Sequence, residues 1–180
     1  MVKLDKCDVL LFVSYKNGPV HWLSRWAIGK YEHVAMYLGE LIGVPMVYES
    51  RGRGVYIASL LPQIGRPVAV FRPLISDAYK QSLVNTGFEI AADEKSFFDY
   101  SSVVTSILPR VISEKLPWLP LPMKYHRDIF FVCSEAVAEV FWRNGIMVIP
   151  DDEIPLPGDF AISSYLWYVD EGNIMQDVVP

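Results

Sequence analysis

Apolar positions along this chain fall into short runs separated by turn-forming residues, and the runs carry two different periods. Residues 8–15 read as a first strand, closed by the turn signal Lys16-Asn17-Gly18-Pro19. Within residues 21–28, Trp22, Leu23, Trp26 and Ala27 stand at helical spacing, with Gly29 to end a short helix. Residues 32–39 and 44–50 are rich in β-formers, and the short connection through Gly43 predicts an antiparallel hairpin. A short apolar piece, 55–61, leads to a third strand-like run at 68–72.

The later half reads differently. Ser76 is the expected N-cap of a helix reaching to residue 92, with Tyr79, Leu83, Gly87 and Ile90 on its buried face. Glycine inside a helix costs roughly 1 kcal/mol relative to alanine, so Gly87 points to close packing. Residues 101–124 are apolar but broken by Pro109, Pro117, Pro120 and Pro122. They predict a short helix and then an extended apolar loop, because a regular helix does not run through the later prolines. The clearest helix covers 130–144, where Cys133, Ala136, Val137, Val140 and Phe141 recur at i, i+3, i+4, i+7 and i+8. Gly145 follows at its C-terminal cap. Beyond Pro157-Gly158-Asp159, residues 161–168 hold a further short helix or strand.

Composition narrows the function. With 180 residues, 52% hydrophobic and 21% charged, the chain is expected to be one domain, residues 1–180, with a sizeable core and no disordered-protein signature. The net charge of −5 and the scattered Lys and Arg speak against nucleic acid as a partner. No run of 18 apolar residues occurs, and residues 1–15 do not read as a signal peptide, so a cytoplasmic location is expected. Cys7 and Cys133 supply neither a metal motif nor a disulfide framework and are expected to be free thiols. No phosphate loop, dinucleotide fingerprint or zinc motif occurs, and no cofactor is expected.

Three residues stand out chemically. Cys133 opens the best helix, where the positive end of the macrodipole favours the reactive thiolate and free N–H groups can receive an oxyanion. The plain alternative is a small buried hydrophobe. His33 lies on a strand and shares a face with Ala35 and Tyr37, either as a base or as a histidine satisfied by a hydrogen bond. Glu49 shares a face with Val47 in the neighbouring strand. If the two strands pair, it can orient the imidazole, the third role of a triad. Otherwise it is an exposed edge-strand carboxylate or a partner of Arg51 or Arg53. His21 sits beside tryptophans and His126 in a polar loop, and the three histidines lack metal-ligand spacing. Glu135, in the first turn after Cys133, suits the helix dipole without any catalytic role.

These residues and their order resemble a known family. A histidine strand (Glu32-His33-Val34-Ala35-Met36-Tyr37-Leu38-Gly39) is followed by Val47-Tyr48-Glu49-Ser50, and then by Phe131-Val132-Cys133-Ser134-Glu135-Ala136-Val137 opening a helix. This is similar to the circularly permuted NlpC-type papain-like amidases, the YiiX/YaeF-like group, in which the histidine strand precedes the cysteine helix. The opening Cys7-Asp8-Val9-Leu10-Leu11-Phe12 resembles the family's Gly-Asp-led first strand, with Cys7 in place of the glycine. Phe98-Asp99-Tyr100 and Pro157-Gly158-Asp159-Phe160-Ala161 resemble later elements. Glu32 stands where the family often has Ser. It either raises the proton affinity of His33 or points the opposite way, as strand alternation predicts.

The resemblance implies an α+β papain-like fold, a small antiparallel sheet or half-barrel packed against helices. It implies Cys133 as nucleophile, His33 as general base and Glu49 as orienting group, with the Cys133 N–H in the oxyanion hole and acyl transfer to water through a thioester. Peptide or cell-wall peptide amides suit such an enzyme. The related lecithin retinol acyltransferase group moves fatty acyl chains, and its histidine motif matches His33, Tyr37 and Gly39. That adds Tyr37 and Trp118 as expected substrate contacts. It also makes residues 103–123 a lid, a peripheral membrane contact or simply core. Three functions therefore follow: a cysteine amidase, a lipid-directed acyl hydrolase or acyltransferase, and a non-catalytic binding protein retaining the fold.

Overall fold

The computed structural model describes residues 2–13, 29–52, 54–93, 108–115, 118, 132–150 and 154–180. The expected helix over 21–28, most of the 101–124 stretch, His21 and His126 lie outside these residues.

The described chain is an α+β fold around one six-stranded antiparallel sheet. Its strands are β2 (Val9–Val13), β3 (Tyr31–Leu41), β4 (Val44–Arg51), β5 (Gly54–Ser59), β6 (Pro67–Pro73) and β7 (Leu166–Asn173), in the order β5-β4-β3-β2-β6-β7. A separate two-stranded parallel pair joins β1 (Val2–Lys3) to β8 (Val178–Val179). Among the described residues, three helices follow β6: α1 (Asp77–Ala92), α2 (Leu108–Lys115) and α3 (Cys133–Arg143). A 3-10 helix spans Pro157–Ile162.

The β3–β4 hairpin forms as the sequence predicts. Ile42 and Gly43 both have positive φ (53° and 72°), the two-residue turn whose twist matches that of paired strands. Residues 55–61, a short apolar piece in the sequence, hold most of β5, which pairs with β4 from Met46 to Arg51. That pairing makes β4 an interior strand rather than an edge. It explains why Glu49 and Ser50 are buried.

Side-chain alternation sorts the sheet into two cores. Val9, Leu11, Val34, Met36 and Tyr48 face α1 and α3, where Leu83, Ile90, Ala136, Val137 and Phe141 meet them. Leu10, Phe12, Ala35, Tyr37, Val47 and Val68 point to the other face, which Leu4, Leu60 and Ile174 help to cover. At roughly 1.5–3 kcal/mol per fully buried large apolar side chain, both layers hold the sheet together.

The helices need two adjustments to the sequence reading. In α1, Leu83, Val84, Thr86, Gly87 and Ile90 are buried as a stripe, but Tyr79 is exposed. It lies in the first turn, beyond the edge of the packed face. Gly87 does mark close packing: a Cβ there would lie 3.4 Å from the Tyr48 ring. In α3 the expected apolar face is buried, and so are Ser134, Glu135 and Glu139. The far side of α3 is covered by the chain that follows it. Ser134 Oγ donates to the Pro155 carbonyl at 2.7 Å, and Trp142 Nε1 donates to the Ile149 carbonyl at 2.7 Å.

Candidate active site

The site begins at the start of α3. Val132 is the N-cap residue, and a β-branched apolar side chain cannot cap with an oxygen. Glu135 takes over: its Oε2 accepts a hydrogen bond from the Val132 N–H at 3.0 Å, in the buried interior. This is one half of a capping box. It fixes the first turn and so fixes Cys133, which is partly buried against the helix-side core.

His33 comes from β3, next to an irregularity. Phe12 stands opposite His33, yet Val13 stands opposite Tyr31, so β3 carries one extra residue at Glu32. Simple alternation groups His33 with Ala35 and Tyr37, on the face away from α3. A bulge bends its strand and re-aims nearby side chains. It is here that a side chain of β3 forms a hydrogen bond with Cys133. The imidazole also leans on the Phe12 ring, with centroids 5.7 Å apart. Glu32, the other side chain at the bulge, is held by Arg66 NH2 at 2.8 Å. The Arg66 guanidinium in turn lies 4.6 Å over the Phe12 ring.

Glu49 completes the line. Its Oε2 lies 2.7 Å from His33 Nε2, which leaves Nδ1 for the cysteine. The carboxylate is 3% exposed and the imidazole 13%, so little water competes with the pair. The same Oε2 is 2.9 Å from Arg51 NH2, an ion pair set off the hydrogen-bond line. Of the two expected partners of Glu49, the His33 imidazole and an arginine, the structure brings both to one oxygen.

The electrostatics follow from this chain of contacts. Burial pushes the Cys133 thiol up, but the hydrogen bond and charge of His33, with the backbone N–H groups of Val34 and Ser134, outweigh it and bring the thiol below its ordinary range. Burial pushes His33 down, but its hydrogen bonds and charge interactions with Cys133 and Glu49 carry it to about 9. Burial pushes Glu49 up, and His33 and Arg51 together hold it below the usual carboxylate value. All three shifts favour a thiolate–imidazolium–carboxylate arrangement.

The other expected site residues are not part of this group. Tyr37 is buried in the far-face core beside Val47 and Leu10, and burial pushes its phenol up to about 12. Gly39, from the same motif, adopts φ 101° at a second break in the β3–β4 register, and a Cβ there would sit 3.1 Å from Lys6. Trp118 is 75% exposed. Cys7 is fully buried, donates its thiol to the Lys80 carbonyl, and is pushed up to about 12 chiefly by burial.

Two features escaped the sequence reading. Arg51 was visible only as an alternative partner of Glu49, although a spacing of two on one strand already places both on one face. The second is a clamp between α2 and the chain after α3. Arg110 binds both oxygens of Asp159, at 2.8 and 3.2 Å, as well as the Ile154 carbonyl. Asp159 also accepts the Leu156 N–H. Arg110 and Asp159 border a cleft of about 410 Å³, with Met147, Ile149, Ile162 and Tyr165 among its walls.

No protein-family model matches the chain, and no curated protein matches its sequence. Among solved structures, the fold is similar to that of metalloprotein yiiX from Escherichia coli O157:H7 (DUF1105). The match has a TM-score of 0.53 and 18% identity, and covers 93% of this chain and 97% of the other. At that identity the likeness establishes the fold. The neighbour's name calls it a metalloprotein. Here, among the described residues, no three His, Cys, Asp or Glu side chains gather as metal donors. Cys133, His33 and Glu49 stand in line, with the imidazole between the other two, so this donor set does not fit a resident metal. No described helix is long and apolar enough to cross a membrane.

Proposed function

We propose that the protein is a thiol hydrolase of the permuted papain-like type, with Cys133 as nucleophile, His33 as general base and acid, and Glu49 as the group that orients the imidazole. The observation that carries this reading is that one imidazole, His33, meets both Cys133 at the start of α3 and, through Nε2, the buried Glu49 carboxylate. The order of the three along the chain, histidine strand first and cysteine helix last, supports the permuted arrangement.

The chemistry follows from the geometry. His33 accepts the thiol proton, and the Cys133 sulfur adds to the carbonyl carbon of the substrate. Negative charge moves onto the carbonyl oxygen, which the Cys133 backbone N–H faces at the helix start. The carbon–nitrogen bond then breaks as His33 returns the proton to the leaving amine. That leaves a thioester on Cys133. Water, deprotonated by His33, adds to the thioester and releases the carboxylic acid and the thiol. Amides of peptides or cell-wall peptides are the substrate class we assign.

A second reading, lipid acyl transfer through the same triad, is favoured by one observation. Trp118, Ile162, Trp167 and Leu74 are each more than 60% exposed. Aromatic and aliphatic groups of this kind suit a lipid–water boundary. Binding to neutral phospholipid vesicles that is lost in Trp118→Asp supports it. Peptide turnover without vesicle binding favours the amidase.

The deciding experiment is the rate of Cys133 alkylation by iodoacetamide against pH, in the native protein and in His33→Ala, with Cys7 as a buried reference read by mass spectrometry. We expect Cys133 to react well below the free-thiol value of about 8.5, and His33→Ala to abolish that reactivity. A thiol that titrates ordinarily in both proteins overturns the catalytic reading and leaves a binding protein.

A further inference from the structure

The thioester mechanism makes two opposite demands on His33. It must hold a proton beside the thiolate, and later it must be neutral to deprotonate water. A buried carboxylate with no other counter-charge serves the first demand and obstructs the second, because it locks the imidazole in its charged form. We propose that Arg51 resolves this conflict as the positioning residue of the triad: by sharing Glu49 Oε2 with His33, it keeps the carboxylate ionised and lets the imidazole release its proton.

The geometry supports the assignment. Glu49 is almost wholly buried and has two cationic groups on one oxygen, His33 Nε2 at 2.7 Å and Arg51 NH2 at 2.9 Å. One of these charges is permanent and the other comes and goes during the reaction. When His33 becomes neutral, the Arg51 charge remains, so Glu49 has no cause to take the proton itself. The imidazole then stays in one tautomer, with its Nε2–H on Glu49 and its Nδ1 open towards the cysteine. The surroundings supply no substitute among the described residues. Across the β4–β5 ladder Glu49 faces Tyr56, from β3 it meets His33, and the thiol of Cys133 lies beyond the imidazole. The nearby Glu32 is engaged by Arg66. Arg51 is partly exposed, so the salt-screened part of its field reaches solvent while the contact itself lies at the buried oxygen.

This inference rests on the triad reading, and its test separates the two. In a Cys133→Ser background the thiolate is gone, so the His33 midpoint reports Glu49 and Arg51 alone. It is followed by NMR of labelled histidine, with His21 and His126 in the same spectra for comparison. Adding Arg51→Gln is expected to raise the His33 midpoint by about one pH unit or more, whereas Arg51→Lys returns it close to the parent value. An unchanged or lowered midpoint in Arg51→Gln overturns the proposal, even if iodoacetamide shows a normal Cys–His pair. An ordinary Cys133 thiol in the alkylation experiment overturns the triad, and with it the positioning role of Arg51. If Arg51→Gln does not fold, the Glu49 carboxyl carbon is followed in the Cys133→Ser protein itself. It must stay ionised through the whole His33 titration, and a Glu49 that takes the proton first overturns the proposal.

Discussion

Replacing Glu49 by glutamine removes one charge from the candidate site while keeping size and an acceptor oxygen. The expected effect comes from the contact with His33. A full charge pair at about 4 Å, in surroundings of effective dielectric about 20, is worth ~4 kcal/mol, or about three pH units, and that is an upper bound. Opposite charges at such distances shift protonation by about one to three units in practice. The His33 ring is 13% exposed and Glu49 only 3%, so screening by water removes little of this. We therefore expect the imidazolium to lose about two units of support, and the Cys133 thiol midpoint to rise by a similar amount. Below both midpoints, alkylation by neutral iodoacetamide should be roughly a hundredfold slower than in the native protein. The assay is the pH-dependent rate at Cys133, with circular dichroism to confirm the fold. A Glu49→Gln protein whose midpoint stays within 0.3 units of the native one, an allowance of about 0.4 kcal/mol, would refute the argument. Glu49 would then be a buried packing group that does not act on the thiol.

The remaining predictions concern stability and thiol selectivity. The folded value of His33, about 9, lies above its ordinary value near 6.5, so its stabilising contribution is complete below about pH 6.5 and lost as pH rises through about 9. Urea melts should show the native protein losing stability relative to His33→Ala across that interval, and a constant difference would contradict the ion pair. Glu135→Ala removes the acceptor of the Val132 N–H and should cost about 1 kcal/mol in urea unfolding, with slower alkylation of Cys133 as the helix start loosens. Gly87→Ala places a Cβ in ordinary contact with Tyr48 and should be neutral or stabilising by up to about 1 kcal/mol. Gly87→Leu overpacks the same space and should lose roughly 1–3 kcal/mol in the same melt. Cys7, buried and pushed up to about 12, should resist alkylation at pH 8 until urea unfolds the chain. Labelling at the rate of a free thiol in the native state would contradict its placement.

Much of this molecule follows from local pattern. The β-formers of 32–39 and 44–50, with the short connection through Gly43 between them, determine the β3–β4 hairpin. The period of 3.6 after Ser76 and around Cys133 determines α1 and α3. The placement of a cysteine at a helix start and of His33 and Glu49 on neighbouring strands is equally a matter of sequence. Cys7 is a local matter too: its φ of 68° is a left-handed conformation in which glycine is at ease, consistent with the glycine of the similar family.

Tertiary structure decided the rest, for a physical reason common to each case: the interaction joins residues far apart in the chain. The β-formers at 55–57 do not say which strand β5 joins, and its pairing with β4 is what buries Glu49. Alternation alone keeps His33 on the face away from the helix, and the extra residue at Glu32 is defined only by the partner strand β2. The motif that suggested Tyr37 as a substrate contact contains no information about the Leu60 and Ile174 segments that enclose its face of the sheet. The sequence by itself determined which chemical groups are present and which strands and helices carry them. Only the packed sheet decided that Cys133, His33, Glu49 and Arg51 come together as one group of contacting side chains, because burial and register, unlike periodicity, are properties of the whole chain.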